Sequence, residues 1–161
     1  MTIAKKLKAY LDNEKINYQI LEHSLAYTAM EIAGSQHIPG RQVIKSVIVK
    51  ADNTLVMCVL PAIHYIDLYK LKDLLKAKNV ELASEEDLAK QFPEFEVGAE
   101  PPFGNLYNLP VYADKVLEVD EDIVFNAGTH TDMIKMKWKD YQRLANPKMV
   151  DLGIHIQAIK G

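Results

Sequence analysis

The chain has 161 residues, 48% hydrophobic and 25% charged, the size and balance of one globular domain with a real core. Its net charge of -3 excludes a protein that grips long stretches of phosphate, because such affinity comes from neutralising phosphates with basic groups. The lone cysteine, Cys58, excludes an internal disulfide framework and fits a reducing, cytoplasmic setting; no stretch approaches the roughly 18 apolar residues of a membrane span, and the N-terminus lacks an apolar signal core.

Residues 2–13 read as an amphipathic helix, capped by Thr2, with Ile3, Leu7, Tyr10 and Leu11 on one face and Lys5, Lys6 and Lys8 on the wet side. A short strand is expected around Tyr18–Leu21. Thr28-Ala29-Met30-Glu31 is a capping box that opens a short helix, ended near Gly34, and Ile38-Pro39-Gly40 is a turn. The clearest pair follows: strands over 42–50 and 54–60, joined as an antiparallel hairpin across Ala51-Asp52-Asn53 and stopped by Pro61.

Within that hairpin, Lys45 interrupts the apolar run Val43-Ile44-Lys45-Ser46-Val47-Ile48-Val49, which has the pattern of a strand covered on both faces. Alternation places Lys45 with Val43, Val47 and Val49, and Ser46 with Ile44 and Ile48. Lys50, at the strand end, can snorkel to water; Lys45, mid-strand, cannot easily do so. A buried ammonium costs several kcal/mol, on the order of the ion desolvation penalty, unless something anionic or strongly polar meets it. Three partners satisfy that requirement: a structural carboxylate, a solvated groove, or an anionic or oxyanionic ligand in a cavity.

Asp67 caps a helix with Leu68, Leu71, Leu74 and Leu75 inward; Asn79–Leu82 is a short strand, and Ser84-Glu85-Glu86-Asp87 opens another helix. From Gln91 to Pro110 regular structure gives way to a stretch holding Pro93, Pro101, Pro102, Pro110, Gly98 and Gly104. An ordered loop of that length inside a compact domain is usually functional. Its centre, Val97-Gly98-Ala99-Glu100-Pro101-Pro102-Phe103-Gly104, suits a rigid pocket wall with exposed amide donors, or a stiff surface turn. Strands resume near Pro110–Ala113 and Ile123–Asn126. The latter ends in Asn126-Ala127-Gly128-Thr129-His130, polar material for a site rim or a plain hairpin turn. The last clear strand is 134–139, with Ile134, Met136 and Trp138 inward and Lys135, Lys137 and Lys139 sharing the outer face. Asp140–Leu144 is helical. Asp120-Glu121-Asp122 reads as a solvated turn. His23 follows the first short strand and can orient a polar group at a rim or serve the structure. Residues 1–161 therefore form a single domain of many short strands with helices packed outside them.

Standard catalytic signatures are missing. The five histidines show no i, i+4 pair and have no cysteine partner, so neither a metal nor a cofactor is expected; there is no nucleophile elbow, P-loop or dinucleotide glycine motif.

Taken in order, several segments carry a resemblance: His23 with Thr28–Ala33; Ile38-Pro39-Gly40; Val43-Ile44-Lys45-Ser46; Leu60-Pro61 with Ile66-Asp67-Leu68; Val80–Ala83; Gly98–Gly104; and Asn126-Ala127-Gly128. Their order and spacing, from about residue 20 to 145, resemble the YbaK and prolyl-tRNA-synthetase-associated domain family. The resemblance implies an α+β fold built on a small, mostly antiparallel β-barrel surrounded by helices. It implies hydrolytic editing of mischarged tRNA, with the tRNA acceptor end as partner, an aminoacyl-tRNA synthetase as a further one, and no membrane. The family's invariant lysine falls on Lys45, its small-residue loop on Gly98 and Gly104, and its second glycine segment on Gly128. Lys45 is thereby the expected catalytic residue, with His23, Thr28, Ser46, Gly98, Gly104, Asn126, Gly128 and His130 lining the substrate. Lys135, Lys137 and Lys139 are a candidate phosphate-facing stripe or an ordinary solvated strand face.

The chain departs from many relatives at Ala99-Glu100-Pro101-Pro102, where a second glycine and a serine are common, at Ser46 after the lysine, and at Thr129-His130. Those positions border the expected amino-acid pocket, so alanine, serine, cysteine, threonine and proline esters stay open. A non-catalytic aminoacyl- or nucleotide-binding module, and a docking domain for a synthetase or translation factor, are the rival readings.

Overall fold

The computed structural model of the chain describes residues 5–22 and 39–154. Ten strands and four α-helices occur among them. The strands are β1 (Tyr18–Glu22), β2 (Ile44–Ala51), β3 (Thr54–Pro61), β4 (Tyr65–Ile66), β5 (Val80–Leu82), β6 (Val111–Asp114), β7 (Asp122–Asn126), β8 (Asp132–Lys137), β9 (Lys148–Val150) and β10 (Gly153–Ile154). The helices are α1 (Lys5–Asn13), α2 (Leu68–Leu75), α3 (Glu85–Gln91) and α4 (Trp138–Ala145).

The β2–β3 hairpin is the organising element. Asp52 and Asn53 both have positive φ (49° and 82°), so Ala51 pairs directly with Thr54 across a two-residue turn whose twist suits the strands. The Asp52 carboxylate accepts from the Lys78 and Asn79 amides (2.9 and 2.8 Å), which holds it below the usual carboxylate range and fastens the turn to the start of β5. Pro61 is the last paired residue of β3, opposite Ile44, because a proline at a strand end removes no needed donor.

A five-stranded sheet in the order β5-β2-β3-β6-β9 surrounds the hairpin, with β3–β6 and β6–β9 parallel and the other pairs antiparallel. A second sheet has the order β1-β8-β7, fully antiparallel, and β4 and β10 form a short ribbon. The fold is mixed α+β and mostly antiparallel. Among the described residues the ladders do not close into a barrel: the two larger sheets meet through a single parallel bridge, Val43 to Val124. No described helix is long and apolar enough to cross a membrane.

The hairpin separates two apolar clusters. Ile44, Ile48, Met57 and Val59 face the larger one, with Leu7 and Leu11 of α1, Ile134 and Met136 of β8, and Trp138 and Tyr141 of α4. Val49, Val56 and Cys58 face the other, covered by Leu71 of α2. Cys58 is wholly buried, and burial pushes its thiol up to about 12, so it fills space without being a nucleophile.

Of the four predicted caps, the two among the described residues form. The Asp67 side chain accepts from the Tyr69 and Lys70 amides, and Ser84 and Asp87 make a reciprocal capping box. Leu74, expected inward, is exposed because α2 covers its cluster chiefly through Leu71. The strand expected over 134–139 ends at Lys137: the Trp138 amide donates to Glu121 O (2.9 Å) and the backbone turns into α4 while the indole still points inward. Asp120, expected in a solvated turn, is buried and accepts from Arg41 Nε at 3.1 Å. The Thr2 cap, Ile3 and the capping box at Thr28 lie outside the described residues.

Candidate functional site

Residues 92–110 are held by aromatic packing in place of regular structure. Phe92 stacks on Phe95, and both meet Tyr107 edge-on. Phe103 is buried against Tyr141 of α4, whose hydroxyl donates to Pro102 O at 2.7 Å. The double proline is thereby pinned to a helix and cannot swing.

Upstream of that anchor the Gly98 loop is zipped to the turn between β7 and β8. The Glu96 amide donates to Gly128 O and the Gly128 amide to Ala99 O, both 2.9 Å. The His130 amide donates to Glu96 Oε1 (2.7 Å), and His130 Nε2 lies 2.8 Å from Val97 O. Gly98 and Gly128 have φ of +88° and +101°, a region natural only to glycine. The turn has its own brace: Thr129 Oγ1 donates to the buried Asp132 carboxylate (2.7 Å) and accepts from the Asp132 amide (3.1 Å). Three residues expected near substrate, Gly98, Gly128 and His130, thus form one assembly, with Asn126 at the strand end leading into it.

Expected amide donors in the loop are already engaged. Gly98 N donates to Glu100 Oε2 at 2.9 Å, the Ala99 amide to Glu96 O, and Glu100 receives its own amide as well. Pro101 and Pro102 have no N–H. Burial pushes the Glu100 carboxyl up, against the pull of those two amides and of His130. Glu96 is the residue of this assembly that sequence reasoning missed. Nothing local marks it, because the amide that its carboxylate receives lies 34 residues away, at His130.

Lys45, expected mid-strand, is the second residue of β2, because the ladder begins only at Ile44; it is half-buried. Among the described residues no carboxylate stands within ion-pair distance of it. Its Nζ stands 5.8 Å from the centroid of the Tyr65 ring, and burial alone holds the ammonium below the usual lysine value. The Val43–Val124 bridge brings the entry to β2 beside β7, the strand that ends at Asn126. Ser46 faces the larger core, and its buried Oγ has no hydrogen-bond partner.

The remaining expected residues fall elsewhere. Gly104 is buried, and a Cβ there would sit 2.8 Å from Val111 Cγ2 and 3.2 Å from Leu109 O, so packing accounts for it. Lys135 and Lys137 share a strand face, but Lys139 belongs to α4, and Lys137 Nζ lies 3.5 and 3.7 Å from Glu121 and Asp122. His23 and Thr28 lie outside the described residues. No cluster of His, Cys, Asp and Glu among the described residues has the makings of a metal site.

The family profile of the aminoacyl-tRNA editing domain matches residues 23–144, a span that includes Lys45 and both glycine loops. The chain belongs to that family. Among its relatives is the multifunctional Ser/Thr-tRNA deacylase ProXp-y of Escherichia coli, 26% identical over 152 residues, covering 91% of this chain and 90% of that one. The proline–tRNA ligase of Bacillus velezensis is 34% identical over 102 residues, which is 61% of this editing-domain chain but 17% of the ligase. A crystal structure of a candidate trans-editing enzyme for prolyl tRNA synthetase superposes with a TM-score of 0.82 at 20% identity, covering 95% of this chain and 99% of that one, a likeness of fold.

Proposed function

We propose that the chain is a free-acting aminoacyl-tRNA deacylase that hydrolyses the ester of a mischarged tRNA carrying a small amino acid. One observation carries the reading: a half-buried ammonium at Lys45 with no carboxylate partner among the described residues, in a chain of the editing family. Such a group is costly to hold unless it meets negative charge that arrives with the substrate.

The reaction needs no protein nucleophile. Water adds to the ester carbonyl carbon, the negative charge on the carbonyl oxygen is met by the Lys45 ammonium, and the carbon–oxygen bond to the terminal ribose breaks. The ribose oxygen takes the proton, and free amino acid and deacylated tRNA leave. A hydroxyl of the terminal adenosine can orient the water, which makes catalysis a matter of positioning and substrate assistance. With the Gly98, Ala99 and Glu100 amides turned inward, the loop serves as a wall, and Lys45 supplies the charge. A preorganised donor of this kind contributes roughly 3–4 kcal/mol to the transition state.

Editing has a physical purpose here. An apolar synthetase pocket separates amino acids differing by one methylene by only about 10- to 200-fold, so a second site that destroys the wrong product raises fidelity. Because the Escherichia coli relative is a Ser/Thr-tRNA deacylase, seryl and threonyl esters come first in a panel that also holds alanyl, cysteinyl and prolyl esters. The test is release of amino acid from that panel by wild type beside Lys45→Ala. Hydrolysis of at least one ester, lost in the variant, is expected; equal hydrolysis by both proteins would remove Lys45 from the mechanism.

A further inference from the structure

After Pro61 the chain turns back on the start of β2. The Ala62 amide donates to Val43 O at 2.8 Å, and β4 then lays the Tyr65 ring over Lys45 Nζ, 5.8 Å from the centroid. That distance is close to the outer reach of a cation–π contact, about 6 Å, so the ammonium is not committed to the ring. Tyr65 is 58% exposed, and its cross-strand neighbour Ile154 is 37% exposed. Backbone pairing anchors the residue: Tyr65 and Ile66 pair with Ile154 and Gly153, and the next amide, Asp67 N, donates to Leu152 O at 2.8 Å. The result is an aromatic face on a backbone-anchored residue, open to solvent, beside the one lysine that the proposed chemistry uses.

We propose that Tyr65 is a stacking platform for an unpaired base of the tRNA acceptor end, holding the single strand so that the ester-bearing ribose reaches Lys45. This inference rests on the deacylase reading of Lys45. Stacking suits the occupant, because every base has a π-face and an aromatic ring grips a single strand whatever its sequence. It also suits a protein with a net charge of -3, which must hold RNA by something other than many phosphate contacts.

The experiment uses an RNA minihelix ending in a single-stranded CCA, unacylated for binding by fluorescence anisotropy and mischarged for steady-state deacylation, with Tyr65→Ala, Tyr65→Phe and Tyr65→Trp. Tyr65→Ala is expected to weaken binding and raise KM about tenfold, the usual size for one lost base–aromatic stack, with kcat and its pH profile unchanged. Tyr65→Phe and Tyr65→Trp keep the face and are expected to bind like wild type. The proposal is overturned if Tyr65→Ala binds normally, or if Tyr65→Phe falls as far as Tyr65→Ala. It is also overturned if binding holds while kcat and its pH profile move, for the ring would then act through Lys45. Failure of the deacylase reading looks different: wild type leaves the ester panel intact, or Lys45→Ala retains activity, and anisotropy still reads the platform.

Discussion

Replacing Lys45 with methionine separates the cost of this residue from its use. Methionine keeps the length of the stem and removes the charge, so the half-buried position becomes apolar. The ring contact with Tyr65, at 5.8 Å, contributes at most about 0.5 kcal/mol, whereas relief of the buried charge contributes more. Discounted for partial exposure, the net gain is about 0.5–1 kcal/mol, or roughly 1–4 °C in Tm for a domain of this size. Deacylation should fall by about two to three orders of magnitude, the loss of roughly 3–4 kcal/mol of transition-state stabilisation. The stability gain has a pH signature. The folded state holds the ammonium below its ordinary value of 10.5, so the unfolded chain binds more protons between the two values and stability rises with pH there. The deficit of wild type against the variant is full below the folded value and disappears as pH approaches 10.5. Thermal melts across that range, beside single-turnover deacylation, measure both effects. A variant that lost stability, or kept activity within about tenfold, would refute the claim that Lys45 is retained for chemistry at the expense of the fold.

Four other substitutions probe the loop and its surroundings. Gly98→Ala meets no close atom, the nearest being His130 Cε1 at 3.6 Å, so its cost is the strained φ alone, about 1–2 kcal/mol, read as a fall in Tm with a slower deacylation; Gly104→Ala instead overpacks against Val111 and should cost about 1–3 kcal/mol without a separate effect on kcat. Glu100→Gln removes a carboxyl held above its ordinary value of 4.5 by burial. In wild type that group costs nothing below 4.5 and destabilises the fold progressively as pH rises through the folded value, so wild-type melts should decline relative to the variant across that window, and parallel curves would contradict the assignment. Thr129→Val strands the buried Asp132 carboxylate and should cost about 1.5–3 kcal/mol in chemical denaturation, with a raised KM because Gly128 and His130 share the turn.

What the sequence made legible is what is local. The hairpin is written in its β-branched runs and in Asp52-Asn53, and the caps at Asp67 and Ser84 act on amides two or three residues away. Trp138 shows where local reading fails: strand alternation and the first turn of a helix both place it inside, so its burial could not say where β8 ends, and the deciding bond, to Glu121 O, is nonlocal. The parallel pairs β3–β6 and β6–β9 likewise join segments tens of residues apart. The loop zipper is the furthest from view. A carboxylate at 96 looks like surface charge until the β7–β8 turn brings the His130 amide to it.

Lys45 was conspicuous for the opposite reason. The apolar residues around it in β2, Ile44, Val47, Ile48 and Val49, agree with a covered strand, so a lysine among them cannot be explained by weak local specification. Natural chains tolerate such conflicts mainly where the misfit side chain is needed, and among the described residues the ammonium has no carboxylate that would have made it merely structural. The same logic ranks Tyr65 above the other exposed aromatic, Tyr69. Tyr69 is 84% exposed on the first turn of a helix, whereas the backbone of Tyr65 is held by a strand ladder beside a half-buried ammonium that has no carboxylate partner among the described residues. An exposed ring alone says little; one anchored beside such an ammonium selects a ligand that brings both a flat apolar face and negative charge, and the end of an aminoacylated RNA strand brings both.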